Sequence, residues 1–157
     1  ASRLASYLSK SFTVVTYDRR GQCRSTVDDP SQEMRIETES DDADCLLAAL
    51  SAEPAYVFGS SLGAVIALDL AARHPDSLRA VVAHEPPAPY LLDRVETRFS
   101  SLREIYRREN PVSSLRQFAA AFGVTGSGHK AEPPERTRQT EDNARFFFER
   151  EAPMLSG

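Results

Sequence analysis

The sequence predicts an α/β protein, in which a parallel sheet with flanking helices is followed by an α-helical region. Three short apolar runs rich in β-forming residues, 12–17, 55–58 and 78–84, alternate with longer segments of helical periodicity. This alternation is typical of parallel sheets with right-handed crossovers. No strand pattern follows the third run. We therefore predict an α/β core at 1–88 and a helical cap at 89–157.

The first two elements are predicted from the spacing and type of their apolar side chains. Segment 1–10 carries apolar residues at helical spacing, which indicates an amphipathic helix. Segment 12–17 is β-branched and aromatic, and this composition predicts a buried strand. The strand runs into a polar loop at 18–25. These elements form the first part of the predicted core.

A polar segment and a second helix come next. Segment 28–39 is polar and contains Pro30, so we predict a loop there. Ser40 or Asp41 can cap a helix whose first turn is acidic, as the helix dipole favours. Pro54 ends this helix. The second strand of the core follows directly.

The pattern Gly-x-Ser-x-Gly at 59–63 joins that second strand to a long apolar helix. In a strand–turn–helix context this pattern predicts a nucleophile elbow, a strained turn that presents the central Ser61 hydroxyl above the sheet edge. We expect Gly59 and Gly63 to be required because side chains there would collide with each other or with a neighbouring strand. The backbone N–H of Leu62, at the positive end of the helix dipole, can stabilise an oxyanion.

The elbow interpretation rests on its context, since the bare motif is not rare. A chain of this length contains Gly-x-Ser-x-Gly by chance in roughly one case in twenty at average composition. Here an apolar run precedes the motif, and no charged residue follows it until Asp69. This is the pattern of a helix buried against a sheet.

The third strand, 78–84, is closed by a Glu-Pro-Pro sequence that forbids further pairing. Beyond it, periodic apolar residues predict helices at 90–108, 113–122 and 135–151. These three helices are interpreted as a lid over the elbow. The alternative is that they are ordinary packing helices, because an apolar stripe is more often core than substrate pocket.

Composition excludes several functional classes. The net charge is −4 and the basic residues are dispersed, so we expect no nucleic-acid partner. No apolar run long enough for a membrane span and no export signal is present, which makes the cytoplasm the default location. Cys23 and Cys45 are expected to be free thiols, and no spacing of residues indicates a metal site or a cofactor.

Three stretches, taken together and in order, resemble the α/β-hydrolase superfamily, and within it the small esterase-like or haloperoxidase-like hydrolases with a helical cap. The loop Asp-x-Arg-Gly at 18–21, with Ser25 also in place, is similar to the loop after the family's fourth strand. The elbow at 59–63 and the strand and exit at 78–87 are similar to later parts of the fold. Two residues depart from the pattern: Gln22 stands where the family often has histidine, and Cys23 replaces the second glycine of the loop.

The resemblance implies that parts of the fold lie outside this chain. The family places its acid and its histidine after later strands, so Ser61 is the one triad member at a matching position. Some members carry the acid after the sixth strand, which makes Glu85 an alternative acid, against a capping or structural role. We expect the rest of the site in a missing remainder of the same protein or in another copy of the chain.

The histidines offer little to complete a triad. His74 lies at the C-terminal end of a helix, where we expect a hydrogen-bonded surface histidine rather than a catalytic one. His129 lies in a glycine-rich loop without an evident orienting acid. His84 lies with Glu85 at the C-terminal end of a strand, the edge at which parallel sheets bind ligands.

The sequence therefore predicts a serine hydrolase of carboxylic esters or related small acyl substrates. Ser61 is the expected nucleophile and the Leu62 N–H half of the oxyanion site. The alternatives are a catalytically silent binding or interaction protein with the same fold, and, among enzymes, a lactonase, a cofactor-free haloperoxidase or a C–C hydrolase.

The resemblance also predicts a gap in the sheet. In the family's strand order, 12–17 and 55–58 are not neighbours, and the strand between them is missing from this sequence. We expect a gap of about 9–10 Å, two interstrand spacings, and no direct pairing of the two segments.

Overall fold

The computed structural model describes residues 2–29, 31–51, 54–87, 101, 104–121 and 134–155. Within these ranges, the part before the helical region contains two strands and three α-helices. In chain order they are α1 (Ser2–Leu8), α2 (Ile36–Ala49), β1 (Ala55–Ser60), α3 (Leu62–Arg73) and β2 (Leu78–His84), with a 3₁₀ turn at Pro75–Ser77 before β2. The later part contains helical residues at 104–108, α4 (Pro111–Ala121), α5 (Pro134–Phe146), a π-helical turn at Phe147–Glu151 and a 3₁₀ turn at Ala152–Leu155.

Strands β1 and β2 pair in parallel and are connected by α3. Their ladder ends with Ser60 opposite His84. Helix α3 is apolar on the side that packs against the sheet, and its Ala64, Ile66 and Leu70 are buried. The α/β class with a parallel sheet flanked by helices is therefore confirmed.

The two faces of this sheet differ. Helix α3 covers one face, and α2 packs against α3. On the other face Tyr56, Phe58 and Val82 are exposed by 67%, 50% and 58%. Large apolar side chains on one sheet face are normally covered. Among the described residues, no element packs over this face.

The prediction of a buried strand at 12–17 is wrong. The segment is not in a ladder with either strand, and Phe12 and Val15 are about half exposed. Composition can favour an extended chain, but a strand also needs a neighbour for its N–H and C=O groups. The contact with β1 is instead made by side chains, since the rings of Phe12 and Tyr56 meet edge to face at 6.1 Å between centroids. Segments 12–17 and 55–58 do not pair directly, as expected.

Helix α2 begins earlier than its capping pattern predicts. Its first residue is Ile36, and Arg35 occupies the N-cap without a side-chain hydrogen bond. Ser40 lies inside the helix, where its hydroxyl donates to the Glu37 carbonyl and to Asp69 on α3. The hydroxyl that could have capped a helix therefore joins two helices. The acidic first turn supports the earlier start.

The helical region agrees with its prediction where it is described. Helix α4 begins at Pro111, a residue favoured in the first turn because its missing N–H has no partner there. Helix α5 continues into the π-helical turn, whose last i to i+5 bond joins the Ala152 N–H to the Phe147 carbonyl. The predicted helix start at 90 and the loop with His129 lie outside the described residues. No helix in the described ranges has the length and hydropathy needed to cross a membrane.

Candidate active site

Ser61 lies at the junction of β1 and α3 in a conformation that non-glycine residues rarely adopt. Its φ is 55° and its ψ is −124°. The Ser61 N–H donates to the His84 carbonyl at 2.9 Å, and the Ser61 carbonyl accepts from the Ala64 N–H at 2.8 Å. A strained residue persists only where its surroundings hold it. Here strand β2 and the first turn of α3 hold Ser61 from opposite sides.

The two glycines of the motif have different roles. A Cβ built on Gly59 would lie 2.0 Å from the Gly63 carbonyl oxygen, so no side chain fits there. A Cβ on Gly63 would have no atom within 4 Å beyond its own helix and its chain neighbours, among the described residues. The expectation that Gly63 is required by close approach is therefore wrong for the part of the chain described. The collision is between a Gly59 side chain and the Gly63 backbone.

Leu62 anchors the start of α3. Its side chain is 5% exposed and packs with Ile66 in a cluster that Phe147 and Met154 cover. The first N–H groups of a helix have no partner inside the helix, and they carry its positive dipole end. The buried side chain holds the first turn of α3 in place. The Leu62 N–H is directly adjacent to the exposed Ser61.

Glu85 lies at the same end of the sheet as Ser61. It follows β2 directly, is exposed, and has a φ of 49°. The residue before it, His84, accepts the Ser61 N–H. Among the described residues, neither Glu85 nor a histidine is hydrogen-bonded to the Ser61 hydroxyl. A catalytic role of Glu85 stays a prediction.

His74 has a structural environment, as expected. Its Nε2 lies 2.8 Å from Asp41 Oδ1 and its Nδ1 lies 3.2 Å from Asp44 Oδ2. Both ring nitrogens thus contact carboxylates of α2 at the C-terminal end of α3. His74 ties the two helices together.

His84 makes a contact that the sequence did not predict. Its Nδ1 lies 3.2 Å from the Ser60 hydroxyl, and its ring lies beside the Phe58 ring at 6.2 Å between centroids. Ser60 precedes the expected nucleophile. The signal was present in the sequence, since both residues end a strand, but the register that places them opposite each other is not local information.

The loop 18–25 is held by side chains of other elements. Arg20 donates two hydrogen bonds of 2.6 Å to Asp42 on α2. Gly21 has a φ of 73°, and a Cβ there would lie 2.1 Å from the Phe146 ring. Cys23 has a φ of 52° at the position where the resembled family has glycine. The turn conformation is therefore of the kind that glycine adopts most easily.

Three buried or half-buried charges connect this loop to α2 and to the π-helical turn. Arg19 Nη1 lies 2.5 Å from Glu151 Oε1 and 3.7 Å from Glu39 Oε1, and both carboxylates are 1% exposed. Gln22 Nε2 donates to Glu151 Oε2 at 3.0 Å. Burial raises the pKa of Glu39 to about 7, although Arg19 opposes the shift. One cation between two buried carboxylates favours a retained proton on one of them.

A cavity of about 370 Å³ opens beside this charge cluster. Its lining combines the loop, through Arg19 and Gln22, with the end of the helical region, through Asn143, Phe147 and Glu151. Phe147 also packs against the cluster formed by the elbow helix. The cavity and the start of α3 therefore share a wall. No group of three or more metal-ligating side chains occurs in the part of the chain that the structure describes.

Relatives of known sequence are similar over parts of this chain. An uncharacterized hydrolase, YraK, from Bacillus subtilis strain 168 is 53% identical over 83 residues, which are 53% of this chain and 31% of YraK. A putative carbamate hydrolase, RutD, from Agrobacterium fabrum strain C58 is 40% identical over 68 residues, which are 43% of this chain and 26% of RutD. The chain thus covers about a third or less of the length of these relatives.

The fold is also found in a solved structure. An esterase, EaEST, from Exiguobacterium antarcticum superposes with a TM-score of 0.63 at 21% identity, over 89% of this chain and 54% of the esterase. The family model described as the alpha/beta hydrolase fold matches residues 1–151. The match extends from α1 to the π-helical turn. The chain belongs to the α/β-hydrolase fold family.

Proposed function

We propose that this chain carries the nucleophile of a serine hydrolase that acts on carboxylic esters or related acyl substrates. Ser61 is the nucleophile and the Leu62 N–H is one oxyanion donor. The observation that carries the proposal is the strained Ser61 at the strand–helix junction, with φ 55°. Strain of this kind at an exposed serine is typical of a nucleophile elbow.

In this mechanism the Ser61 hydroxyl oxygen attacks the acyl carbon while its proton passes to a general base. The carbonyl oxygen becomes an oxyanion, to which the Leu62 N–H donates a hydrogen bond. Collapse of this tetrahedral species expels the alcohol, which takes the proton from the base. Water then hydrolyses the acyl-enzyme by the same steps. The base and the second oxyanion donor belong to the remaining part of a longer protein or to a second copy of the chain.

The relatives are consistent with acyl chemistry. One is named as an esterase and one as a putative carbamate hydrolase, and both names describe cleavage at an acyl carbon. Ester and carbamate hydrolysis can use the same nucleophile and differ in the contacts to the leaving group. Lactonase, C–C hydrolase and cofactor-free haloperoxidase activities remain alternatives within the enzyme class, because the elbow is compatible with each.

A binding protein without catalysis is the second candidate. Widely shared folds host unrelated functions, so the fold alone does not establish an enzyme. The observation that favours this candidate is that no described histidine or carboxylate is hydrogen-bonded to the Ser61 hydroxyl. The two candidates differ in the reactivity of one side chain.

A fluorophosphonate probe tests the proposal, applied to the full-length protein that contains this chain. We expect one covalent adduct per protein, located on Ser61 by peptide mass spectrometry, and its loss in Ser61→Ala. Ser9→Ala is the matched control, because Ser9 is exposed and its hydroxyl, among the described residues, donates only to the Ser6 carbonyl of α1. A folded protein without an adduct would favour the binding candidate.

A further inference from the structure

We infer that His84 is a positioning residue for Ser61, acting through Ser60. The inference rests on the proposed function, since it concerns the reactivity of the same nucleophile. Two bonds connect His84 to consecutive residues of the elbow. Its carbonyl accepts the Ser61 N–H at 2.9 Å, and its ring Nδ1 lies 3.2 Å from the Ser60 hydroxyl.

These two bonds lie at the end of the sheet next to Ser61, where they can restrain the elbow. Ser60 and His84 are the last pair of the β1–β2 ladder. Beyond this pair the chain leaves the ladder and enters the strained turn, where the bond from the Ser61 N–H to the His84 carbonyl holds the peptide between Ser60 and Ser61. The ends of regular elements fray when their last groups are not held. The ring contact adds a side-chain restraint at this last rung.

The orientation of the imidazole is itself restrained. The ring lies beside Phe58 on the open face of the sheet, at 6.2 Å between centroids and with an interplanar angle of 31°. Phe58 and Ser60 point to the same face because they are two residues apart in one strand. The imidazole therefore spans the last two side chains of β1 on this face, one by ring contact and one by hydrogen bond.

The hydrogen bond is available in either charge state of the imidazole. A neutral Nδ1 accepts from the Ser60 hydroxyl, whereas a protonated Nδ1 donates to it. The backbone bond from Ser61 to the His84 carbonyl persists whatever side chain stands at 84. Substitution at 84 consequently removes the ring restraint alone. Its effect on Ser61 measures what that restraint contributes.

The experiment compares His84→Phe, His84→Asn and Ser60→Ala in the full-length protein. Phenylalanine keeps a ring beside Phe58 but has no nitrogen, whereas asparagine keeps a polar atom at the position of Nδ1. We expect His84→Phe and Ser60→Ala each to lower the rate constant of fluorophosphonate labelling about 2- to 10-fold, the equivalent of one hydrogen bond. His84→Asn should restore most of the rate.

Two further readouts separate positioning from a general structural role. The double variant His84→Phe/Ser60→Ala should be no slower than the slower single variant, because both remove the same bond. With p-nitrophenyl acetate the loss should appear in kcat and leave KM unchanged. Additive losses, a change confined to KM, or unchanged labelling in His84→Phe would each overturn the inference.

The outcome for the wild-type protein distinguishes this inference from the proposed function. A wild-type protein that does not label at Ser61 overturns the proposed function, and the inference with it. A wild-type protein that labels at Ser61, with variants that label equally fast, overturns the inference alone. Melting temperatures close to the wild-type value in the three single variants support an effect on the nucleophile rather than on folding.

Discussion

Ser61 at the elbow and Cys23 in the loop 18–25 are both non-glycine residues at positive φ, and their turns are held in different ways. At the elbow, Ser61 is restrained by backbone hydrogen bonds to β2 and α3. In the loop 18–25, a backbone bond from the Ser25 N–H to the Gln22 carbonyl closes the turn around Cys23, and side chains add to it: Asn143 accepts from the Cys23 N–H at 3.0 Å and Arg20 bonds to Asp42. The elbow conformation is therefore tied to the sheet by backbone bonds, whereas the loop also depends on side chains of other helices, which can be substituted one at a time.

The largest effect on the elbow is expected from a substitution of Gly59. Gly59→Ala places a Cβ 2.0 Å from the Gly63 carbonyl oxygen, and neither backbone can move without breaking the elbow. We expect a loss of more than about 4 kcal/mol in the free energy of unfolding, or no folded protein at all. Denaturation followed by circular dichroism measures this, and probe labelling of any folded fraction should be lost.

Gly63→Ala is the matched control from the same motif. Its Cβ would meet nothing within 4 Å beyond its own helix and chain neighbours, among the described residues, and alanine favours the helix. The stability should stay within about 1 kcal/mol of the wild-type value. A severe loss in Gly63→Ala would show that a neighbour of Gly63 lies outside the described residues.

The contribution of the loop 18–25 and its charge cluster to the free energy of unfolding should depend on pH, unlike that of the elbow. The pKa of Glu39 is raised from 4.5 to about 7 in the folded protein, chiefly by burial. The folded state therefore binds the proton more tightly than the unfolded state. The stabilisation is fully present below pH 4.5 and is lost as the pH rises through 7. The free energy of unfolding is expected to fall by about 3 kcal/mol over this pH range.

Glu39→Gln isolates this contribution because glutamine keeps the shape of the protonated carboxyl. We expect the stability difference between wild type and Glu39→Gln to change by about 3 kcal/mol between pH 4.5 and pH 8. Urea denaturation at several pH values measures it. A constant difference across this range would show that Arg19 keeps Glu39 ionised.

The smallest effect is expected at Cys23. Cys23→Gly relieves the positive φ but loses the contact of 3.2 Å between its sulfur and Asn143 Nδ2, so we expect it to be neutral or to gain up to about 1 kcal/mol. Thermal denaturation measures the change, and Cys45→Ala controls for removal of a thiol, since Cys45 is also exposed. A clear loss of stability would assign Cys23 its own packing role.

Sequence patterns predicted the elements whose determinants are local. Strands β1 and β2 and the apolar helix between them follow from short apolar runs and the Gly-x-Ser-x-Gly turn. The segment 12–17 has the same kind of composition but forms no ladder, because pairing depends on a partner strand rather than on its own residues. The start of α2 was misplaced because the Ser40 hydroxyl bonds to Asp69 on another helix.

In the candidate site, too, features set by neighbouring residues could be predicted from the sequence, whereas features set by distant residues could not. Ser61 and Leu62 could be proposed from the sequence because the motif that contains them is contiguous. The contact of Ser60 with His84 depends on the register of two parallel strands, and the Arg19–Glu39–Glu151 cluster joins residues more than a hundred positions apart. Neither can be obtained from spacing along the chain.

The π-helical turn at Phe147–Glu151 marks a place where the chain can vary in length. Its i to i+5 bond accommodates one residue more than an α-helical turn would. Phe147 at its start packs near the elbow, and Glu151 at its end meets Arg19. Deleting a single residue between them would restore α-helical geometry and change the direction of Glu151 relative to Phe147 only slightly, because three α-helical steps turn the chain nearly as far as four of the wider π-helical steps. The turn is therefore a place at which the chain can lose one residue with little effect on the contact between Glu151 and Arg19.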